Sequence, residues 1–248
     1  MILNQAQVDI VLHNYLFMFM NWTNVSVWQM QQISNLLSKN EGDTSLDIAV
    51  KTLAILTNRT EAQIDSLSLD ELSHQIKDIA FLNESQPNAK PQDYIKVNGK
   101  KYKCIYDIRN MPYARYMETK FFGSDVMNNL HKIGASMVMP MKKSWFGWKI
   151  EQYDASKHEE YANDLLEASY ESVYGSVVFF CQIYVQSINN LADYLKQRLT
   201  SQGIPKNEAE ETITALCNVL DGLTKLPSSQ NTNVLNLKKS TDFQQFNV

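Results

Sequence analysis

Chain breakers are scarce in this sequence. Eight glycines and six prolines in 248 residues are too few for a many-turned β architecture and favour long helices. A basic surplus is also missing. Lys and Arg number 23 against 27 Asp and Glu, a formal charge of −4, which argues against a generally phosphate-binding surface and leaves room only for a local patch. The cysteines Cys104, Cys181 and Cys217 are odd in number, far apart and without a CxxC pair. That spacing argues against a disulfide framework or a zinc site and predicts buried free thiols. Free thiols suit a reducing cytoplasm or a particle assembled there.

Catalytic signatures are absent too. There is no phosphate loop, no GxSxG and no GxGxxG. The histidines are His13, His74, His131 and His158, and none stands four residues from another, so a helical metal pair does not arise. The run from His158 to Ala162 approaches HExxH, but alanine occupies the second ligand position. Glu159 and Glu160 suit a solvated helix face. The expectation is therefore a protein without catalytic residues, metal or cofactor, with a helical enzyme of dispersed active site as the alternative from another class.

Targeting signals are equally thin. The apolar run 15–20 has no basic segment before it, and Asp9 sits where positive charge belongs, so a secretory signal is not expected. The Asn-x-Ser/Thr triplets at Asn21, Asn24, Asn58 and Asn83 then read as chance products of an Asn-rich composition. Residues 172–192 carry no charge, but Gln182, Gln186, Ser187, Asn189 and Asn190 lie among them. These side chains are costly in lipid, so the stretch predicts a buried helix and no membrane partner.

What is present reads as mostly α: a helical bundle with one small β-hairpin around residues 93–106 and a polar C-terminal tail. Three regions are expected, a helical one over 1–86, a hairpin and helical core over 87–226, and an extended tail over 227–248. Residues 5–38 predict helix, broken near 21–26. Thr44 or Ser45 caps the next helix, whose apolar face is Leu46, Ala49, Val50, Leu53 and Leu56. Capping boxes follow at Thr60 with Gln63, Ser68 with Glu71, and Ser156 with Glu159. Pro87 to Pro91 reads as a linker.

The pair Asn98-Gly99 suits a type I′ turn, with one hairpin face aromatic (Tyr94, Tyr102, Tyr106) and the other carrying lysines. Two strands alone are marginal in water, so the hairpin must lie on helices or join a larger sheet. Pro112 starts a helix that Gly123 ends. Ser124 caps another from Asp125 to about Met139, which Pro140 stops. The aromatic segment 144–150 suggests a strand or a docked loop. The longest helix spans about 171–199, with a heptad-spaced seam of Val177, Cys181, Tyr184, Ile188, Leu191 and Leu195. Gly203 and Pro205 end it, and a last helix covers 206–225. The Ser-, Asn- and Gln-rich tail should be disordered alone.

Aromatic residues are the abundant feature: 12 Tyr, 10 Phe and 4 Trp. Such side chains anchor interfaces because they bury much area at low entropic cost. Tyr94, Tyr102, Tyr106, Trp145, Phe146, Trp148, Phe243 and Phe246 are the candidate interface residues. The clusters Lys100, Lys101, Lys103, then Lys142, Lys143 and Lys238, Lys239 are small, and the acidic total makes nucleic acid an unexpected specific ligand.

The stretch from about Leu53 to Tyr194 resembles small structural and assembly proteins of tailed bacteriophages, those of crAss-like and other Bacteroidota phages in particular. The likeness rests on residues 52–57, on Glu61 with Ile64, Asp65, Ser66 and Leu67, on Tyr102, Tyr106 and Asp107, on Met111 and Tyr116, and on Phe179-Phe180. It implies a helical, non-enzymatic virion subunit made in the host cytoplasm. As a connector or ring protein it would contact other copies of itself and neighbouring portal or tail subunits. A tail assembly chaperone that binds the tape-measure protein is the alternative within the same resemblance.

Overall fold

A computed structural model describes residues 20–39, 42–83, 86–107 and 113–220. Two compact units arise. Of the described residues, one comprises those up to Asn88 together with Ser169–Glu171; the other comprises those of Ala89–Ala168 and those from Ser172 to Leu220. The mostly helical class expected from the sequence is the class observed.

In the first unit, α1 (Val27–Lys39), α2 (Ser45–Thr57), α3 (Glu61–Asp65) and α4 (Leu69–Asp78) follow in order, and a 3₁₀ turn Ala80–Asn83 closes the series. Each start is sequence-encoded. Thr44, Thr60 and Ser68 form reciprocal capping boxes with Asp47, Gln63 and Glu71. Ser26 and Gln29 form another at α1 that the sequence reading passed over, with bonds of 3.0 and 3.1 Å. The Gln29 amide also donates to the carbonyls of Ile55 and Leu56, in the last turn of α2. Asn58, at φ 53°, then turns the chain away through the left-handed region.

The apolar faces meet as the periodicity predicts. Val27, Met30 and Ile33 pack with Leu53, Leu56 and Ile64, although Leu46 stays outside. Tyr170 completes this core. Its N–H donates to the Val25 carbonyl at 2.7 Å and its hydroxyl to Gln86 at 2.7 Å, and Trp22 lies against both its ring and that of Phe81.

In the second unit, β1 (Tyr94–Val97) and β2 (Lys100–Cys104) form the expected hairpin, with Asn98 at φ 48° and Gly99 at φ 76°. They do not stand alone. β3 (Val138–Ser144) and β4 (Gly147–Ile150) form a second hairpin beside them, giving one antiparallel sheet in the order β1-β2-β3-β4. Direct pairing of Ile95 with Tyr102 fixes which side chains share a face. Ile95, Val97, Tyr102 and Cys104 turn inward. Tyr94 therefore belongs with the lysines, which corrects the expected grouping of Tyr94 with Tyr102 and Tyr106.

The helices of this unit are α5 (Tyr113–Phe122), α6 (Val126–Met137), α7 (His158–Leu166), α8 (Tyr170–Ser201, from Ser172) and α9 (Lys206–Leu220). α6 ends two residues earlier than predicted, and Pro140 lies inside a strand instead of stopping a helix. The proline is tolerated for a geometric reason. Its carbonyl accepts from Glu151 N–H at 2.8 Å, so its missing N–H faces β4, and β4 has already ended at Ile150. The Ser156–Glu159 box does not form either. Asp154 takes both the Ser156 N–H and its hydroxyl, capping a short 3₁₀ turn ahead of α7.

Close approaches hold the helices. A Cβ on Gly134 of α6 would come within 2.9 Å of Leu165, and one on Gly175 of α8 within 2.6 Å of Ala89. Ala89 is thus pressed onto α8, where the Ser176 hydroxyl accepts the Gln92 N–H. The seam of α8 is buried at Val177, Cys181 and Tyr184 and opens to solvent at Leu191. Gly203, at φ 81°, ends this helix as expected, and the Lys196–Glu210 pair at 2.7 Å ties it to α9. Residues 221–225 of the expected last helix, and the tail with Phe243 and Phe246, lie outside the described residues.

Helix α6 passes into strand β3 without a connecting loop, and Arg115 of α5 makes that junction. The buried guanidinium donates to the Ser136 carbonyl at 2.6 Å and the Val138 carbonyl at 2.8 Å, and its plane lies 4.1 Å from the Tyr153 ring. Arg115→Met leaves two buried carbonyls unpaired and is expected to cost at least about 3 kcal/mol. Arg115→Lys keeps the charge but loses the planar fork and should cost about 2 kcal/mol. Urea unfolding followed by far-UV circular dichroism measures both, and losses under 1 kcal/mol would show that the junction does not need the fork.

Candidate functional site

Among the described residues no group of three or more His, Cys, Asp or Glu side chains is arranged to hold a metal ion. The thiols of Cys104 and Cys181 are buried, and burial pushes the first up to about 11 and the second higher still. Both are protonated and unreactive near neutrality.

One cluster has the composition of a catalytic triad. Ser136 Oγ stands 3.1 Å from His158 Nε2, and a Glu118 carboxylate oxygen lies 3.8 Å from the same nitrogen. A relay needs the acid on one ring nitrogen and the serine on the other. Here both crowd Nε2, together with the Lys132 carbonyl at 3.2 Å. Ser136 is sealed from solvent, and Phe122 stacks on the imidazole at 5.6 Å. The cluster joins α5, α6 and α7 as a packing node.

The first unit carries an open groove of about 400 Å³ lined by Trp28, Leu36, Ala54 and Ile55 with Lys51 and Glu61 at its side. Asn58, Arg59 and Thr60 complete its polar side.

The sheet is the chemically distinctive surface. Every charged residue in 94–104 and 138–150 is a lysine: Lys96, Lys100, Lys101 and Lys103 from the first hairpin, Lys142, Lys143 and Lys149 from the second. The pairing Lys101 with Met141 and Lys103 with Met139 brings these clusters together across β2 and β3. Lys100 points to the inner face, where it pairs with Asp164 at 2.7 Å and Glu160 at 3.3 Å. Tyr102 hydrogen-bonds the same Asp164 and lies against Tyr161, so the inner face is committed to α7.

On the outer face Lys101 Nζ sits 3.9 Å from the Tyr94 ring centre and 5.9 Å from that of Trp148, with Lys103 4.7 Å from Tyr94. Among the described residues no carboxylate pairs with Lys96, Lys101, Lys103 or Lys143.

At the end of the second hairpin, Trp145 and Phe146 occupy the two-residue turn and are 94% and 91% exposed. They do not cap the protein's own core. Ser144 pairs with Gly147, at φ 116°, so the turn is fixed by the strands that carry it. Trp148 and Tyr94 are each 39% exposed on the outer face. Tyr102 is 2% exposed, and half-buried Tyr106 donates to the Gln92 carbonyl and lies against Phe179. A partner approaching the sheet meets Tyr94, Trp145, Phe146 and Trp148; Tyr102 and Tyr106 belong to the interior. The sequence held the lysines and aromatics in plain view, and only the β2–β3 pairing makes them one surface.

His131, buried on α6, has its pKa lowered to about 4, chiefly by burial and then by neighbouring Lys132. The unfolded value is about 6.5. A depressed folded value means that the neutral ring stabilises the fold above pH 6.5, and that this contribution, up to about 3 kcal/mol, is lost as pH falls from 6.5 towards 4. Unfolding free energies of the wild type and of His131→Gln, measured between pH 7.5 and 4.5, should converge as the pH falls. Parallel curves would remove His131 from the acid response.

No protein-family model, no curated protein and no solved structure matches this chain.

Proposed function

We propose that this protein is a non-enzymatic assembly subunit that works by gripping other polypeptides. Its proposed setting is the virion of a tailed phage, as a connector or ring protein that contacts further copies of itself and neighbouring portal or tail subunits. The phage setting rests on the sequence resemblance. The mode of action rests on one observation: two bulky aromatic side chains, Trp145 and Phe146, are held almost wholly in solvent at the end of a paired hairpin. Exposed aromatics on a rigid support are the usual anchors of protein interfaces. They enter a partner pocket with little entropy to lose.

The edge strands β1 and β4 offer a second means of contact, since each presents unpaired backbone groups along one side. No helix among the described residues is long and apolar enough to cross a membrane.

Trp145→Ser with Phe146→Ser tests the reading. Both side chains are exposed, so folding stability should change by no more than about 0.5 kcal/mol. Self-association, read by sedimentation velocity over a concentration series, should weaken at least about 30-fold, the effect of losing one hot-spot residue. An unchanged mass distribution together with an unchanged set of particle-associated partners would defeat the proposal. Mass spectrometry of purified particles separates the two phage roles: many copies mark a connector, and absence marks a chaperone.

A further inference from the structure

We propose that the outer face of the four-stranded sheet is a binding platform for single-stranded nucleic acid. The inference stands on this face alone and holds or fails independently of the assembly role.

Three observations carry it. First, the pairing of β2 with β3 joins two lysine clusters that lie about 40 residues apart in sequence. Side chains of one face alternate along a strand, about 7 Å apart, and recur on neighbouring strands at about 5 Å. Lys96, Lys101, Lys103 and Lys143 therefore form a compact cationic field. Second, the field is not neutralised. Among the described residues these four lysines have no carboxylate partner, whereas Lys100 on the opposite face has two. The acidic surplus of the chain lies elsewhere, and screening over about 10 Å limits how far it reaches. Third, the ammonium groups alternate with ring faces. Lys101 stands between Tyr94 and Trp148, and Lys103 also lies over Tyr94.

That combination selects among anionic partners. An acidic peptide would use the lysines and leave the two rings with little to meet. An anionic membrane would favour the hairpin tip, where Trp145 and Phe146 project, over the broad face. A single-stranded nucleic acid uses both elements: bases stack on Tyr94 and Trp148 while phosphates take the lysines that now rest against those rings. The apolar neighbours Met141 and Ile150, on the same face, extend the surface available to sugars and bases.

The test uses the full chain and a fluorescent 20-nucleotide oligothymidylate, with binding read by anisotropy. Four engaged lysines predict a slope of log K against log[salt] of about −2.8, so affinity falls about 50-fold between 50 and 200 mM salt. Lys101→Gln with Lys103→Gln should halve that slope. Tyr94→Ala with Trp148→Ala should weaken binding at least about 10-fold while leaving the slope in place. Lys77→Gln with Lys157→Gln makes the same charge change outside the sheet and should leave both quantities unaltered. Circular dichroism checks that each variant is folded.

The idea is overturned if no oligonucleotide binding occurs at 50 mM salt. It is equally overturned if the Lys77 and Lys157 variant loses as much as the Lys101 and Lys103 variant. Binding to phosphatidylserine vesicles or poly-glutamate without binding to the oligonucleotide assigns the face to another anion and also rejects it.

Discussion

A single guanidinium governs the second unit. Arg115 reaches from α5 into the point where α6 turns directly into β3, and donates to carbonyls on both sides of the change, Ser136 in the helix and Val138 in the strand. Helix ends leave carbonyls without partners, and most chains spend a loop and a glycine on the problem. Here the arginine supplies the missing donors in a planar fork. Burial holds its pKa below the usual arginine range, but it remains a cation, which suits the negative end of α6. Because no loop intervenes, the position of α6 sets the position of β3. The strand in turn sets where the lysines of β3 stand beside those of β2.

The elements readable from sequence are those that a few neighbouring residues determine. Thr44, Thr60 and Ser68 needed only a partner three residues away, and Asn98-Gly99 needed only its own backbone freedom. Two of the readings that failed, the end of α6 and the role of Pro140, involve a distant residue. Residues 138 and 139 continue the apolar period of α6, so local pattern extends the helix through them. It ends at Met137 because Arg115 and the edge of β2 both compete for that backbone; Ile105 N–H bonds the Met137 carbonyl at 2.8 Å. Pro140 looks like a helix stop until its neighbours are known. Its donor side then proves to face the place where β4 has run out. Ser156 lost its box to Asp154, two residues before it, whose carboxylate accepts both of its donors.

The surface teaches the same lesson about charge. A chain with a net charge of −4 argues against nucleic acid when charge is treated as a total. Potential is local, and the fold sorts the charges. Lys100 is spent on Asp164 and Glu160, and helps hold the sheet to α7. Of the four outward lysines, Lys101 and Lys103 rest against aromatic rings. The pairing of Ile95 with Tyr102 decides this division, since a slip of one residue would exchange the two faces and bury lysines against α7.

The hairpin tip raises a question of cost. Trp145 and Phe146 lend nothing to the interior, and bare aromatic rings on a strand turn invite unwanted association. A fold seeking only its own stability would place polar residues there, and the turn geometry would accept them, because Gly147 already supplies the positive φ. The lysines around the tip, Lys142, Lys143 and Lys149, act against indiscriminate contact by repelling their counterparts on another copy. In the proposed assembly role a partner would present an apolar recess with acidic or neutral surroundings. On that proposal grip and discrimination would come from the same few residues, the rings supplying the first and the ammonium groups the second.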